Sequence, residues 1–168
     1  MKSHFQSLAA YGAWANDRLL SDAALVSRED LHRDVGVYFK SLFATLIHYL
    51  QSDRAWTFLL QGGALSHMKL EPAPTTLAAL RRARGAQDAA FCAWIDTLDE
   101  AWYDQPFTFV SALGSMKGST YHGTNRSTLT HVINHQTHHR GQAHAALTIL
   151  GVAEPKPLDI LVKGFLEA

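Results

Sequence analysis

Apolar residues recur at steps of three and four along most of the chain, the spacing of amphipathic helices. Phe5, Leu8, Gly12, Ala15 and Leu19 fall on one stripe. Ser3 and Gln6 spell Ser-x-x-Gln, a capping-box pattern. The first helix is expected to end near Val26, because Ser27-Arg28-Glu29-Asp30 makes a polar break. A second helix is expected from about Tyr38 to Leu60, with Leu42, Leu46, Tyr49, Trp56 and Leu60 on its stripe and Gly62-Gly63 as its stop. Glycines and prolines over residues 62 to 74 suit a loop. A third helix is expected from Thr75 to about Leu98. Leu80, Ala83, Phe91, Trp94 and Leu98 form its inner face, and Arg81, Arg82 and Arg84 reach toward solvent. Cys92, with no base near it in sequence, reads as core filler.

Residues 102 to 126 change character. Phe107, Phe109 and Ser111 alternate with Thr108 and Val110, Gly114-Ser115 interrupts, and Lys117 to Tyr121 resumes, which suits a hairpin or an ordered loop. The fourth helix is expected from Ser127 to Leu150, stopped by Gly151. A tail follows in which Leu158, Ile160, Leu161, Val162 and Phe165 make a short amphipathic piece fit to cap a bundle. The fold class expected is all-α: a four-helix bundle with a long connection, including a small hairpin, between its third and fourth helices. Residues 1–168 are read as one domain with a short C-terminal capping segment.

Composition narrows the function. The 168 residues are 47% hydrophobic and 18% charged, enough apolar content to bury a core. Fifteen basic and fifteen acidic side chains leave a formal net charge of zero, which argues against electrostatic binding to nucleic acid or membrane. A single cysteine excludes an internal disulfide and a Cys-rich zinc module. No apolar run approaches a membrane span and no signal-peptide core is visible, so a soluble, cytoplasmic protein is expected. The unusual number is ten histidines, six of them between His122 and His144.

On a helix, residues four apart lie nearly above one another, offset by about 40°. His131, His135 and His139 form such a ladder, with His138 and Gln142 on the same side and Arg140 about 140° away from His135. Several imidazoles on the inner arc of a bundle helix are costly to bury unless each nitrogen has a partner. A divalent ion is such a partner, and a His pair at i, i+4 presents two nitrogens to one ion. Core histidines satisfied by hydrogen bonds, or a solvated His-rich face, are the competing readings. His48 is the best source of a third ligand, since Ser41, Thr45, Ser52 and Ala55 on its side let another helix approach. His4, His32 and His67 lie at a terminus or in breaks. The wheel does not choose between the pairs 131/135 and 135/139.

Three segments resemble the DinB family of four-helix metalloproteins: Tyr11-Gly12-Ala13-Trp14-Ala15-Asn16-Asp17-Arg18-Leu19-Leu20, then Ser41-Leu42 through His48-Tyr49-Leu50 to Asp53-Arg54-Ala55-Trp56, and Asn134-His135-Gln136-Thr137-His138-His139-Arg140-Gly141-Gln142. The likeness spans about residues 3 to 150. It implies a divalent metal (zinc, nickel or iron) held by His48, His135 and His139, with His131 and His138 as neighbours of the site. It also implies a homodimer, and a small-molecule substrate of the kind used by relatives that act with a low-molecular-weight thiol.

Three neutral ligands leave an ion its full charge and at least one open position, the layout of a catalytic centre. The function expected is a metal-dependent enzyme activating a thiol or a water, of the thiol S-transferase or hydrolase class. The alternative is a non-catalytic metal-binding protein of a stress response. Gln142, Asn134 and Asp53 are candidates to orient the rings. Asp53 lies about 140° from His48 on its helix, so a structural ion pair or a loop cap suits it better. Arg140 reads as a surface or interface residue. Trp14, Trp56 and Tyr49 suit either a pocket or the core. The catalytic residues themselves are not identified by the sequence.

Overall fold

The computed structural model describes residues 1–69, 71–111 and 116–166. Four long helices form the bundle: α1 (Lys2–Ala23), α3 (Leu42–Leu60), α4 (Leu77–Thr97) and α5 (Asn125–Ile149). A one-turn helix, α2 (Arg28–His32), precedes α3, and a short α6 (Ile160–Leu166) closes the described chain. Two strands, β1 (Pro106–Val110) and β2 (Thr120–Thr124), pair antiparallel between α4 and α5. Packing runs α1 on α4, α4 on α3, α3 on α5 and α5 back on α1. The expected all-α bundle with a hairpin before its last long helix is what forms. No helix among the described residues is long and apolar enough to cross a membrane.

The helix starts differ from the sequence reading because of capping chemistry. Ser3 and Gln6 make no capping box: Met1 is the N-cap without a side-chain bond, and Gln6 instead donates to Asp96 on α4. The first helix stops at Ala23, and Ser27, expected only as a break, caps α2 by accepting from the Asp30 N–H. The second long helix starts four residues late, at Leu42, because Ser41 accepts from the Ala44 N–H. Thr76 likewise caps α4 at Leu77. Thr124 and Ser127 form a reciprocal capping box that starts α5 at Asn125 rather than Ser127. Gly62 and Gly151 end α3 and α5 with φ of +87° and +90°, left-handed angles that glycine adopts without a Cβ penalty. The Gly114-Ser115 interruption lies outside the described residues.

Two apolar clusters fill the bundle. One gathers Leu19, Leu20, Leu42, Leu46, Leu50, Leu80 and Leu147; the other gathers Phe5, Leu60, Phe91, Ile95, Leu129 and Val132. On every long helix a buried polar residue falls between the two sets: Asn16 on α1, Asp53 on α3, Arg84 and Asp88 on α4, Gln136 on α5. Arg84, expected to face solvent, is only 2% exposed, and its guanidinium meets Asp53 at 2.5 Å and Asp88 at 2.6 Å. Asn16 donates to both Asp88 oxygens at 3.0 Å and accepts from the Tyr49 hydroxyl at 3.1 Å. Burial raises the Asp53 carboxyl to about 6, with the Arg84 charge opposing it. Arg140 is also buried rather than at the surface. It donates to Thr137 Oγ1 at 3.0 Å and lies over the Tyr11 ring. Arg84 is paired with carboxylates, as a buried charge requires, whereas Arg140 Nη1 is buried without a hydrogen-bond partner.

The tail is strapped to α1. Asp22 accepts from the Lys156 N–H and pairs with its ammonium, while Tyr11 and Arg18 donate to the carbonyls of Leu158 and Pro157. Leu158 packs on the first cluster, but Ile160 and Leu161 are exposed, so α6 covers the bundle less fully than its pattern suggested. The side chain of Phe165 lies outside the described residues. Cys92 is half-buried beside the second cluster, and burial with the Asp88 and Asp96 charges raises its thiol pKa.

Candidate metal centre

α3 and α5 run antiparallel and place the histidines together by simple periodicity. His48 on α3 stands against His139 on α5, ring centroids 4.6 Å apart, and two turns further along α3 Trp56 stands against His131 at 5.0 Å. His135 lies one turn from His139, with centroids at 4.3 Å, and 5.5 Å from His48. One nitrogen from each of His48, His135 and His139 lies within 4.8 Å of the other two. Among the described residues this group consists of imidazoles alone, with no carboxylate or thiol in it.

The electrostatics keep these rings neutral. Burial, then the neighbouring His139, lowers His48 to about 4. Burial followed by the surrounding histidines lowers His135 to about 4 as well. His139 and His131 are lowered chiefly by burial. Neutral imidazole is the form that donates a lone pair to an ion.

The nitrogens themselves test the fit. Gln142 Oε1 lies 2.8 Å from His139 Nδ1; the amide oxygen accepts, so Nδ1 carries the proton and Nε2 presents its lone pair. That Nε2 lies 3.1 Å from His135 Nε2. Two nitrogens bound to one ion at about 2.0–2.1 Å, with angles of roughly 90–110°, stand about 2.9–3.4 Å apart. The observed spacing falls in that range. His135 Nδ1 is buried without a hydrogen-bond partner and an ion on Nε2 does not reach it, so the fit rests on the Nε2 spacing and the all-imidazole donor set. The residues fit a divalent ion.

Around the group, Phe39 stacks on His48 at 3.8 Å and 23° and reaches His139 at 5.6 Å. Trp56 contacts both His131 and Phe109 of β1. Ser52, one turn from His48, places its Oγ 3.4 Å from His48 Nε2. Of the expected orienting residues, Gln142 reaches a ring. Asn134 is exposed, and Asp53 turns inward to Arg84 as the ion-pair reading anticipated. His138 is exposed, 4.9 Å from His139. Tyr49 is fully buried, and Trp14 is half-buried against Tyr11 and Arg18. His4, His32 and His67 lie outside the group; His32 packs on Phe43 instead.

Phe39 and Phe109 were missed by periodicity because both sit outside the long helices. Lys40 next to Phe39 has φ of +71°, the one non-glycine residue with positive φ among the described residues. Strain of that kind concentrates at functional sites. No signal in the sequence marks it.

Compared with known protein families, residues 1–164 match the DinB family. No protein with a curated description matches the chain.

Proposed function

The chain belongs to the DinB family, and on that premise we propose that His48, His135 and His139 hold a divalent ion and that the protein is a metal-dependent enzyme of the thiol transferase or hydrolase class. The observation that carries this reading is the group of three half-buried or buried neutral imidazoles with no carboxylate or thiol among them. A structural ion is normally closed by four protein ligands, whereas three leave a position for substrate. An ion held there would act as a Lewis acid that lowers the pKa of a thiol or a water.

The chain's own residues set up that chemistry. Gln142 fixes the tautomer of His139, so its Nε2 needs no deprotonation. Burial keeps His48 and His135 neutral well below pH 7. Phe39 covers one face of His48 and keeps water from it. Residues 1–168 are taken as one cytoplasmic domain, and the working unit as a homodimer acting on a small molecule with a low-molecular-weight thiol. Zinc, nickel and iron all suit an imidazole set.

The test is metal analysis of untagged protein followed by turnover assays with cellular thiols, model electrophiles and esters. Close to one equivalent of metal, with turnover that disappears on chelation, supports the reading. Less than about a tenth of an equivalent after reconstitution removes it. Tight binding with a fourth protein ligand in the sphere favours a non-catalytic metal-binding protein.

A further inference from the structure

The long axis of the centre has a definite shape. His48, Ser52 and Trp56 form one stripe on α3, four residues apart, and His139, His135 and His131 form the facing stripe on α5. The contacts of His48 with His139 and of Trp56 with His131 fix the alignment, so Ser52 lies across from His135. The smallest side chain of the stripe is therefore at its middle, between two large rings. Each end is extended by a phenyl group from a non-helical segment. Phe39 stacks on His48 from the loop before α3, and Phe109 packs on Trp56 from β1 at 5.1 Å.

Neither Phe39 nor Phe109 belongs to either apolar cluster of the bundle. Both are only half-buried, as is Trp56. The loop that delivers Phe39 carries Gly36 and Lys40 at positive φ, and is pinned by the Val35 N–H on the Lys40 carbonyl at 2.8 Å. Arg84 is engaged by Asp53 and Asp88. The rings at the two ends of the stripe suit an apolar group.

We propose that the substrate of this centre carries a flat apolar group, such as an aromatic ring, that lies over Ser52 between Phe39 and the Trp56–Phe109 pair. The inference rests on the metal-dependent reading above and adds the substrate class to it. Aromatic pairs prefer offset or edge-to-face geometry and gain free energy beyond area burial. Two ring walls separated by a serine notch offer such contacts to a third ring.

The experiment uses the full chain loaded with cobalt(II), its content read first by equilibrium dialysis. 2-Phenylethanethiol and ethanethiol are then titrated, following the thiolate-to-cobalt charge-transfer band. The phenyl thiol is expected to bind about tenfold more tightly. Trp56→Ala and Phe109→Ala should each remove most of that advantage. Ser52→Leu, which fills the notch, should exclude the phenyl thiol. Phe109 is a member of neither core cluster, so its variant tests the idea even where Trp56→Ala fails to fold. Equal affinities for the two thiols, no band with either, or an advantage that survives in Phe109→Ala would overturn the proposal while leaving cobalt binding intact. Failure to bind cobalt would defeat the metal reading itself, and this proposal with it.

Discussion

Arg84→Met removes the guanidinium that Asp53 and Asp88 share in the polar layer between the two apolar clusters. The side chains of Arg84 and Asp53 are 2% and 1% exposed, and that of Asp88 is 11% exposed. Methionine fills much of the volume but leaves two carboxylates without their cation. Breaking a buried pair from one side costs about 3–5 kcal/mol, a large share of a total stability of about 5–15 kcal/mol. For a chain of this size each kcal/mol moves Tm by about 2–4 °C, so Arg84→Met should melt roughly 6–20 °C lower. Arg81→Met is the control: Arg81 and Asp17 are 48% and 65% exposed, and such pairs are worth about 0–1 kcal/mol.

The pH dependence adds a second readout. Burial raises Asp53 from 3.8 to about 6 in the folded state. A carboxyl raised in this way contributes stability that is fully present below the unfolded value and lost as pH rises through the folded one. Without Arg84 the folded value climbs further. The deficit of Arg84→Met relative to wild type should therefore be greatest near pH 8 and shrink toward about pH 5 as the buried carboxylates take up protons. Asp53→Asn should rescue part of the loss in the Arg84→Met background. Thermal unfolding followed by circular dichroism measures all three. A melting point within about 2 °C of the Arg81→Met control at pH 8 would refute the account of the layer.

Other expectations concern the histidines. His48→Ala, His135→Ala and His139→Ala should each weaken divalent-metal binding by about a hundredfold or more, while His67→Ala leaves it unchanged; competition with a chromophoric chelator decides it. Gln142→Leu should cost about 10–100-fold in metal affinity with little change in apo-protein melting, because its role is to hold the His139 ring; equal affinity would show that the amide is incidental. His48 and His135 are lowered from 6.5 to about 4, so between those values the unfolded chain binds more protons than the folded one. Apo-protein stability should then fall as pH drops from about 6.5 toward about 4, the two imidazoles outweighing the single raised Asp53 carboxyl that acts oppositely over part of that range, and urea titrations showing the opposite slope would contradict the burial of these rings.

The sequence by itself determined the helical class, the stripes that pack and the imidazole ladder. Those properties follow from local period, and a three- or four-residue step has one structural meaning over twenty residues. It also carried the motif that likens the chain to its family. Helix ends were less legible, because Ser3, Ser41, Thr76 and Thr124 are all chemically able to cap and only the path of the neighbouring chain selects which do. Arg84 and Arg140 were read as outward-facing, since a cation on a helix usually is. Asp88 lies one turn from Arg84 on α4, a pairing the helix period allows, but only the tertiary structure brings Asp53 from α3 onto the same guanidinium and Tyr11 beneath the other. The choice of His139 with His48 has the same origin. Periodicity placed His131, His135 and His139 on one face equally, and the antiparallel alignment of α3 against α5 decided which of them His48 meets. Phe39 and Phe109 reach the centre through a turn and a hairpin, where no period constrains the side chain and contact depends on the path of the backbone.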